Sequence, residues 1–599
     1  MTMDTADNPS KASLKNLPVW DLSDLYGAID SVELEADLKR AVRDARAFSN
    51  LYKGKLSRMT GNALGEAISA YEEVDEIIGR IMSYAQLVYA GNISDPEIGR
   101  FYQSIQEKLN DISADILFFT LELNEIDDLA LAEQLKSATA GAYRPWLNTI
   151  RALRPHQLRE EIEHLLHDKR VAGRAAWNRL FDETMSDMRF LHEGRELTSE
   201  AIMNLLSSPE ENVRKTAGQT FGEELGKHSR TFSLITNTLA KDKEIEDRWR
   251  NFSRPDSSRN LSNEIEDEVV DALNAAVTDS YSEASHRYYK MKAKWFDKDC
   301  LDYWDRNAPL PEADNTFVTW DQAKETVLTA YRDFSSDLAD IGQKFFDNAW
   351  IDAPVREGKS SGAFAHPTVA SSHPYLLLNY QGKVRDVMTL AHELGHGCHQ
   401  VLAAPQGNLM ANTPLTLAET ASVFGEMLTF RKMLRTEEDP TLRKVMLAGK
   451  VEDMLNTVIR QIAFFNFELR VHTARRDGEL TAEEICDIWM EVQADSLGPA
   501  IRFDEHYRWY WTYIPHFIHS PFYVYAYAFG DCLVNSLYAV YEQSAGGFAE
   551  KYLDMLRAGG TLRHKELLAP FGLDASDPAF WKKGLNVVGV MIDELEVME

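Results

Sequence analysis

"VMTLAHELGHGCHQVLA", residues 387–403, places two histidines four apart, with a glutamate directly after the first, in a run otherwise made of apolar and small residues. On a helix, positions i and i+4 share one face a turn apart, so His392 and His396 can present ring nitrogens to one ion, with Glu393 beside it. Zinc catalysis needs three protein ligands, an open position for water and a base to take the water's proton, and Glu393 fits the base. An H-E-x-x-H pattern arises by chance about 0.03 times in a chain of this length and composition, so a helix of merely structural histidines is the weaker reading.

The third ligand must come from elsewhere, because the extended H-E-x-x-H-x-x-G-x-x-H pattern fails: His399 stands in the glycine place and Leu402 in the last histidine place. His399 is expected to be a packed or supporting histidine rather than a ligand. "LTLAETASVFGEML", residues 415–428, supplies Glu419 and Glu426, seven apart on one helical face. Glu419 is the better ligand, since its neighbours Ala418, Thr420, Ala421 and Ser422 are small and let this helix approach the first closely. Glu426 is left a supporting role.

Working outward, the 599-residue chain has 44% hydrophobic and 26% charged residues, the composition of an ordinary globular protein long enough to bury a deep site. Its formal net charge of −30 speaks against a nucleic-acid binder, which needs clustered Lys and Arg. Cys300, Cys398, Cys486 and Cys532 are far apart with no CxxC pair, which suits free thiols in a reducing compartment. The first twenty residues lack the apolar core of a signal peptide, so a cytoplasmic location is expected. The most membrane-like stretch, residues 510–534, carries two histidines, two prolines and many tyrosines; it reads as buried and functional, and no membrane partner is expected.

Helical spacing dominates, as in residues 61–91 and 480–498, so the fold is expected to be mainly α. Helix starts are signalled at "SDPEIG" from residue 94 and "SPEENV" from residue 208. Residues 358–396 behave differently: Gly, Ser and Pro punctuation precedes a short apolar run, 374–380, that ends at Gly382. A small sheet beside the site is expected there, with a strand edge on which an extended peptide could pair. His366 and His373 flank this loop and are read as turn or surface histidines more readily than as substrate contacts. A turn-rich break at "LHEGRELTSEAI" suggests a domain cut near 195, giving an N-terminal helical domain, 1–195, and a catalytic domain, 196–599.

An ordered set of motifs resembles the oligoendopeptidase F family, the bacterial branch of the zinc peptidases that include thimet oligopeptidase. The set comprises "WDLSDLY" (20–26), "LRPHQLREEIEHLL" (153–166), "GKSSGAF" (358–364), "LLNYQG" (377–382), "RDVMTLAHELGHGCH" (385–399), "LAETASVFGE" (417–426) and "EKYLDMLRAGG" (550–560). The resemblance implies a mostly helical, elongated zincin-type fold with a deep substrate channel covered by the N-terminal domain, one catalytic Zn2+ per chain and cleavage of internal bonds in oligopeptides. It matches His392, His396 and Glu419 to the zinc ligands and Glu393 to the catalytic glutamate. In "IPHFIHSPFYVYAYAFG", residues 514–530, it matches His516 to a downstream catalytic histidine and the tyrosines to the phenols that serve the transition state. Tyr523 and Tyr527, four apart, can face one side while Tyr525 points away, so Tyr523 is favoured, then Tyr527.

Two other functions compete: a zinc peptidase that reads the substrate's C-terminus through an Arg or Lys, and a noncatalytic peptide binder with structural zinc. The second is disfavoured, since structural zinc sites close all four positions, mostly with Cys and His.

Overall fold

Ser31, Thr60 and Asp95 each stand one residue ahead of a long helix and accept backbone N–H groups of its first turn with their side chains. The three helices, Val32–Tyr52, Gly61–Gly91 and Pro96–Ile116, pack their apolar stripes together. Leu34, Phe48, Leu64, Ile68, Ile81 and Phe119 are among the fully or almost fully buried side chains of that core. The protein is described by a computed structural model covering residues 14–170, 172–310, 317–544 and 546–598. It is mainly helical, as the apolar spacing predicts, with three small sheets among the described residues.

By contacts the chain forms two units, each woven from three separate segments. The first gathers Met1–Arg154, Asn315–Thr436 and Ser544–Gly572; the second gathers Pro155–Asp314, Glu437–Gln543 and Leu573–Glu599. The turn-rich break near 195 is a two-stranded hairpin, Phe190–His192 with Arg195–Leu197, inside the second unit. Glu193 and Gly194 at its tip both have positive φ, 49° and 77°.

In the first unit the apolar run at 374–380 becomes the strand Tyr375–Tyr380, but it is the central strand of its sheet. Ile351–Pro354 pairs with it in parallel and Phe364–His366 antiparallel. Its backbone edges are therefore filled, and the free edge belongs to Phe364–His366, where punctuation hid a three-residue strand. Gly382 closes the run at φ 85°, with its α-carbon so near the ring of Phe317 that a Cβ would lie 2.2 Å from it. The helix Val384–Ala403 follows at once.

In the second unit Glu211–Lys227, Ser229–Trp249, Arg460–Asp477, Ala482–Leu497, Tyr525–Gln543 and Pro578–Val597 are the longer helices. Ala482–Leu497 starts with the reciprocal Thr481–Glu484 capping box. The helix expected from Ser208 begins three residues later, at Glu211, because the Ser208 hydroxyl accepts the N–H of Glu210 and caps a turn instead. No described helix is long and apolar enough to cross a membrane.

Candidate metal centre

The helix Val384–Ala403 carries His392, Glu393 and His396, and Leu415–Thr436 carries Glu419 and Glu426. Their approach depends on Gly395: a Cβ there would lie 2.4 Å from the carbonyl oxygen of Ala421 and 2.7 Å from the α-carbon of Ser422. Two of the small residues beside Glu419 thus meet a residue with no side chain, and the backbones come close enough for a short carboxylate to reach both imidazoles. A buried Tyr331 hydroxyl donates to the carbonyl of Ala391 at 2.6 Å and braces the motif helix one residue before His392.

Glu419 Oε2 lies 3.3 Å from His392 Nε2 and 3.4 Å from His396 Nε2. Two ligands held at about 2.0–2.1 Å from one tetrahedral zinc stand roughly 3.3 Å apart, so the donor separations fit such an ion. The chemistry of the set, two imidazoles and a carboxylate, fits as well. Ser422 donates its hydroxyl to Glu419 Oε2 at 2.7 Å, and Glu426 Oε2 lies 3.4 Å from His392 Nδ1, the nitrogen that faces away from Glu419. Such an acceptor fixes ring orientation and tautomer and raises the basicity of the other nitrogen.

The electrostatics follow from crowding two imidazoles and three carboxyls together. Burial disfavours the imidazolium of His392, but Glu426, Glu419 and Glu393 outweigh it and raise its pKa. Burial also works against the charge on Glu419, yet His396 and His392, with the Ser422 hydroxyl, hold its carboxyl below the ordinary range. Glu393 is raised, chiefly by burial, against the pull of both histidines. The backbone N–H of Ala365, on the free-edge strand, faces its carboxylate.

The other histidines of this unit divide. His399 is buried, lies 3.2 Å from the Thr413 hydroxyl and is pushed down to about 4 by burial, as a packed histidine should be. His373 stacks on Trp350 at 3.9 Å and reaches Asp24 at 2.8 Å, a structural role. His366 ends the edge strand with Nε2 buried and no hydrogen-bond partner.

His516, Tyr523 and Tyr527 belong to the second unit and form a cluster of their own. His516 Nε2 lies 3.4 Å from the Tyr527 hydroxyl, and the Tyr523 and Tyr527 rings meet edge-on at 5.3 Å. Tyr525 goes the other way: it is fully buried and its hydroxyl accepts from Asn263 at 2.8 Å. The helix itself starts only at Tyr525, and successive turns through Tyr523–Ala526 and Val524–Tyr527 bring the two outer phenols to one side.

Sequence reasoning passed over the side chains that hold this segment. Phe522 sits at φ 59°, a strained value for an aromatic residue, and its N–H is taken by buried Glu468 at 2.9 Å. Arg259 reaches the Pro521 carbonyl at 3.3 Å and lies 6.0 Å over the Tyr523 ring. Burial pushes Glu468 up to about 8. The one readable signal was a lone acid in the aromatic run "AFFNFEL", residues 463–469.

Comparison with known proteins fits this geometry. The model of peptidase family M3 matches residues 204–587, and that of oligopeptidase F matches residues 122–190. Oligopeptidase PepF of Bacillus subtilis is 26% identical over 602 residues, spanning 98% of this chain and 88% of that one. A solved structure of a candidate peptidase from Chlamydophila abortus superposes with a TM-score of 0.86 at 23% identity, covering 97% and 98% of the two chains. Oligoendopeptidase-F from Enterococcus faecium superposes with a TM-score of 0.69 at 23% identity, covering 95% and 97%. Together the family match and the fold place the chain in peptidase family M3, as a metallopeptidase acting on oligopeptides.

Proposed function

We propose that the chain is a zinc-dependent endopeptidase that hydrolyses internal bonds of short oligopeptides in the cytoplasm, with His392, His396 and Glu419 holding the metal. The observation that carries this reading is the convergence of two imidazole nitrogens and one carboxylate oxygen at 3.3 and 3.4 Å, with a buried glutamate alongside. Bound there, zinc would acidify water and polarise the scissile carbonyl. Glu393 takes a proton from the attacking water at its carboxylate and passes it to the leaving amine; a carboxyl raised by burial suits that exchange. Glu426 holds the orientation of His392. By family resemblance His516 and Tyr523, with Tyr527 next in order, donate hydrogen bonds to the oxyanion that develops on the carbonyl, and loss of one such donor costs about 100-fold in rate.

The test is hydrolysis of a short internally quenched peptide by zinc-loaded protein and by Glu393→Gln, with mass spectrometry locating the cut. The expected outcome is internal cleavage that falls about 100- to 10,000-fold in the variant while zinc stays bound. Normal cleavage by the variant would remove Glu393 from the mechanism. Release of C-terminal dipeptides alone would replace the endopeptidase reading with a peptidyl-dipeptidase.

A further inference from the structure

A cavity of about 300 Å3 lies wholly within the second unit, between Leu206 on one side and the aromatic segment 507–513 on the other. Trp304, Tyr507, Tyr510 and Tyr513 wall it, and two guanidiniums, Arg306 and Arg460, line it. Among the described residues neither arginine makes an ion pair with a carboxylate. Arg460 donates to the Tyr513 hydroxyl at 2.9 Å and lies 4.9 Å over the Phe464 ring, while its Nε is buried without a partner. Arg306 shares the cavity with the phenols of Tyr507, Tyr510 and Tyr513. Trp304 Nε1 is also a buried donor with no acceptor.

The cavity therefore presents two guanidiniums and an unpaired indole N–H with no carboxylate among its lining residues, in a chain whose formal net charge is −30. Two like charges sharing an aromatic pocket are unfavourable until an anion joins them, because each has exchanged water for ring faces. A guanidinium offers a planar fork that meets a carboxylate or phosphate with two parallel hydrogen bonds. Two features select between those anions. The acidic surface repels multiply charged ligands more strongly than singly charged ones. The indole and phenol walls bury an apolar body attached to the anion, and the volume is at the small end of ligand pockets, enough for a terminal residue.

We propose that Arg306 and Arg460 form a binding site for the C-terminal carboxylate of a peptide, with the aromatic walls taking the side chain of its last residue. None of its lining residues is among the metal-holding residues, and its existence does not rest on the zinc mechanism.

The experiment is calorimetric titration of metal-free full-length protein with N-acetyl-Ala-Phe and with the same peptide as its C-terminal amide. Removing metal keeps a carboxylate from binding there, and no turnover is needed, so failure here and failure of the peptidase mechanism remain distinct. The acid should bind at least about tenfold more tightly than the amide, and Arg460→Gln or Arg306→Gln should erase that preference. Should either substitution unfold the protein, Asn307→Asp provides the second variant: it places a negative charge at an exposed position on the cavity wall and should weaken the acid but not the amide. Equal binding of acid and amide, or an unchanged acid affinity in Asn307→Asp, would overturn the proposal. So would inorganic phosphate that displaces the peptide acid at an equal concentration, since the site would then be a general anion pocket.

Discussion

Two groups of potential metal ligands converge among the described residues: His392, His396 and Glu419 in the first unit, and Glu211, Asp302 and Asp305 in the second. Both satisfy a distance criterion, and their surroundings separate them. In the second group Lys298 lies 2.6 Å from both Glu211 and Asp305, Arg214 lies 2.7 Å from Asp305, and Arg502 lies 2.7 Å from Asp302. Three cations already answer three carboxylates. Glu419 instead meets two imidazoles and a serine hydroxyl, with no lysine or arginine partner among the described residues. Proximity of acids is thus a poor guide to metal binding; what matters is whether the protein has supplied its own counter-charge.

The largest expected contrast is in metal content. Glu419→Ala should lower bound zinc from about one per chain to background, and Asp302→Ala should leave it unchanged, as elemental analysis of the purified proteins will read. A Glu419→Ala protein with full zinc would move the third ligand elsewhere. Glu426→Gln should retain the site but weaken zinc affinity about 10- to 100-fold in competition with a chelator, because the histidine loses its orienting acceptor.

Asp305→Asn should do the opposite: no effect on zinc or on turnover, but a loss of about 3–5 kcal/mol in chemical denaturation, since Arg214, almost fully buried, would keep its charge without its partner. A pH-dependent effect concerns buried Glu468. Its folded pKa, about 8, lies above the ordinary carboxylate value, so the folded chain holds a proton that the unfolded chain releases. Stability from this group is complete below the ordinary carboxylate range and is lost as pH rises towards about 8. Glu468→Gln should flatten that part of the Tm–pH curve, and an unchanged slope would show that Glu468 is ionised when folded.

Much of the candidate metal centre was legible because its pattern is local. The i, i+4 histidines, the glutamate between them and the small residues beside Glu419 are all short-range patterns, and the partner of those small residues, Gly395, lies in the same motif. The strand at Tyr375–Tyr380 was legible for the same reason. The outer strand Phe364–His366 was not: which strand of a sheet lies outermost depends on pairing between segments, and three residues are too few to register as a run. The pairing of Arg306 with Arg460, the support of Phe522 by Glu468 and the charge compensation around Asp305 join residues tens to more than a hundred positions apart. No periodicity in a single sequence records them.

The three-segment weave of each unit has a consequence for how this protein comes into being. The helices up to Arg154 emerge early from the ribosome, but the segment that completes their unit ends at Gly572. At ordinary rates of synthesis that is a wait of roughly 20 to 80 s between the helical core of residues 25–147, which holds Phe48, Leu64 and Ile81, and the later segments that lay Tyr375, Trp350 and Leu409 against it. The second unit cannot close until Leu573–Glu599 has also emerged. A truncation before Arg154 therefore removes the earliest part of the first unit, and one after Leu573 the latest part of the second, so each unit depends on segments made far apart in time.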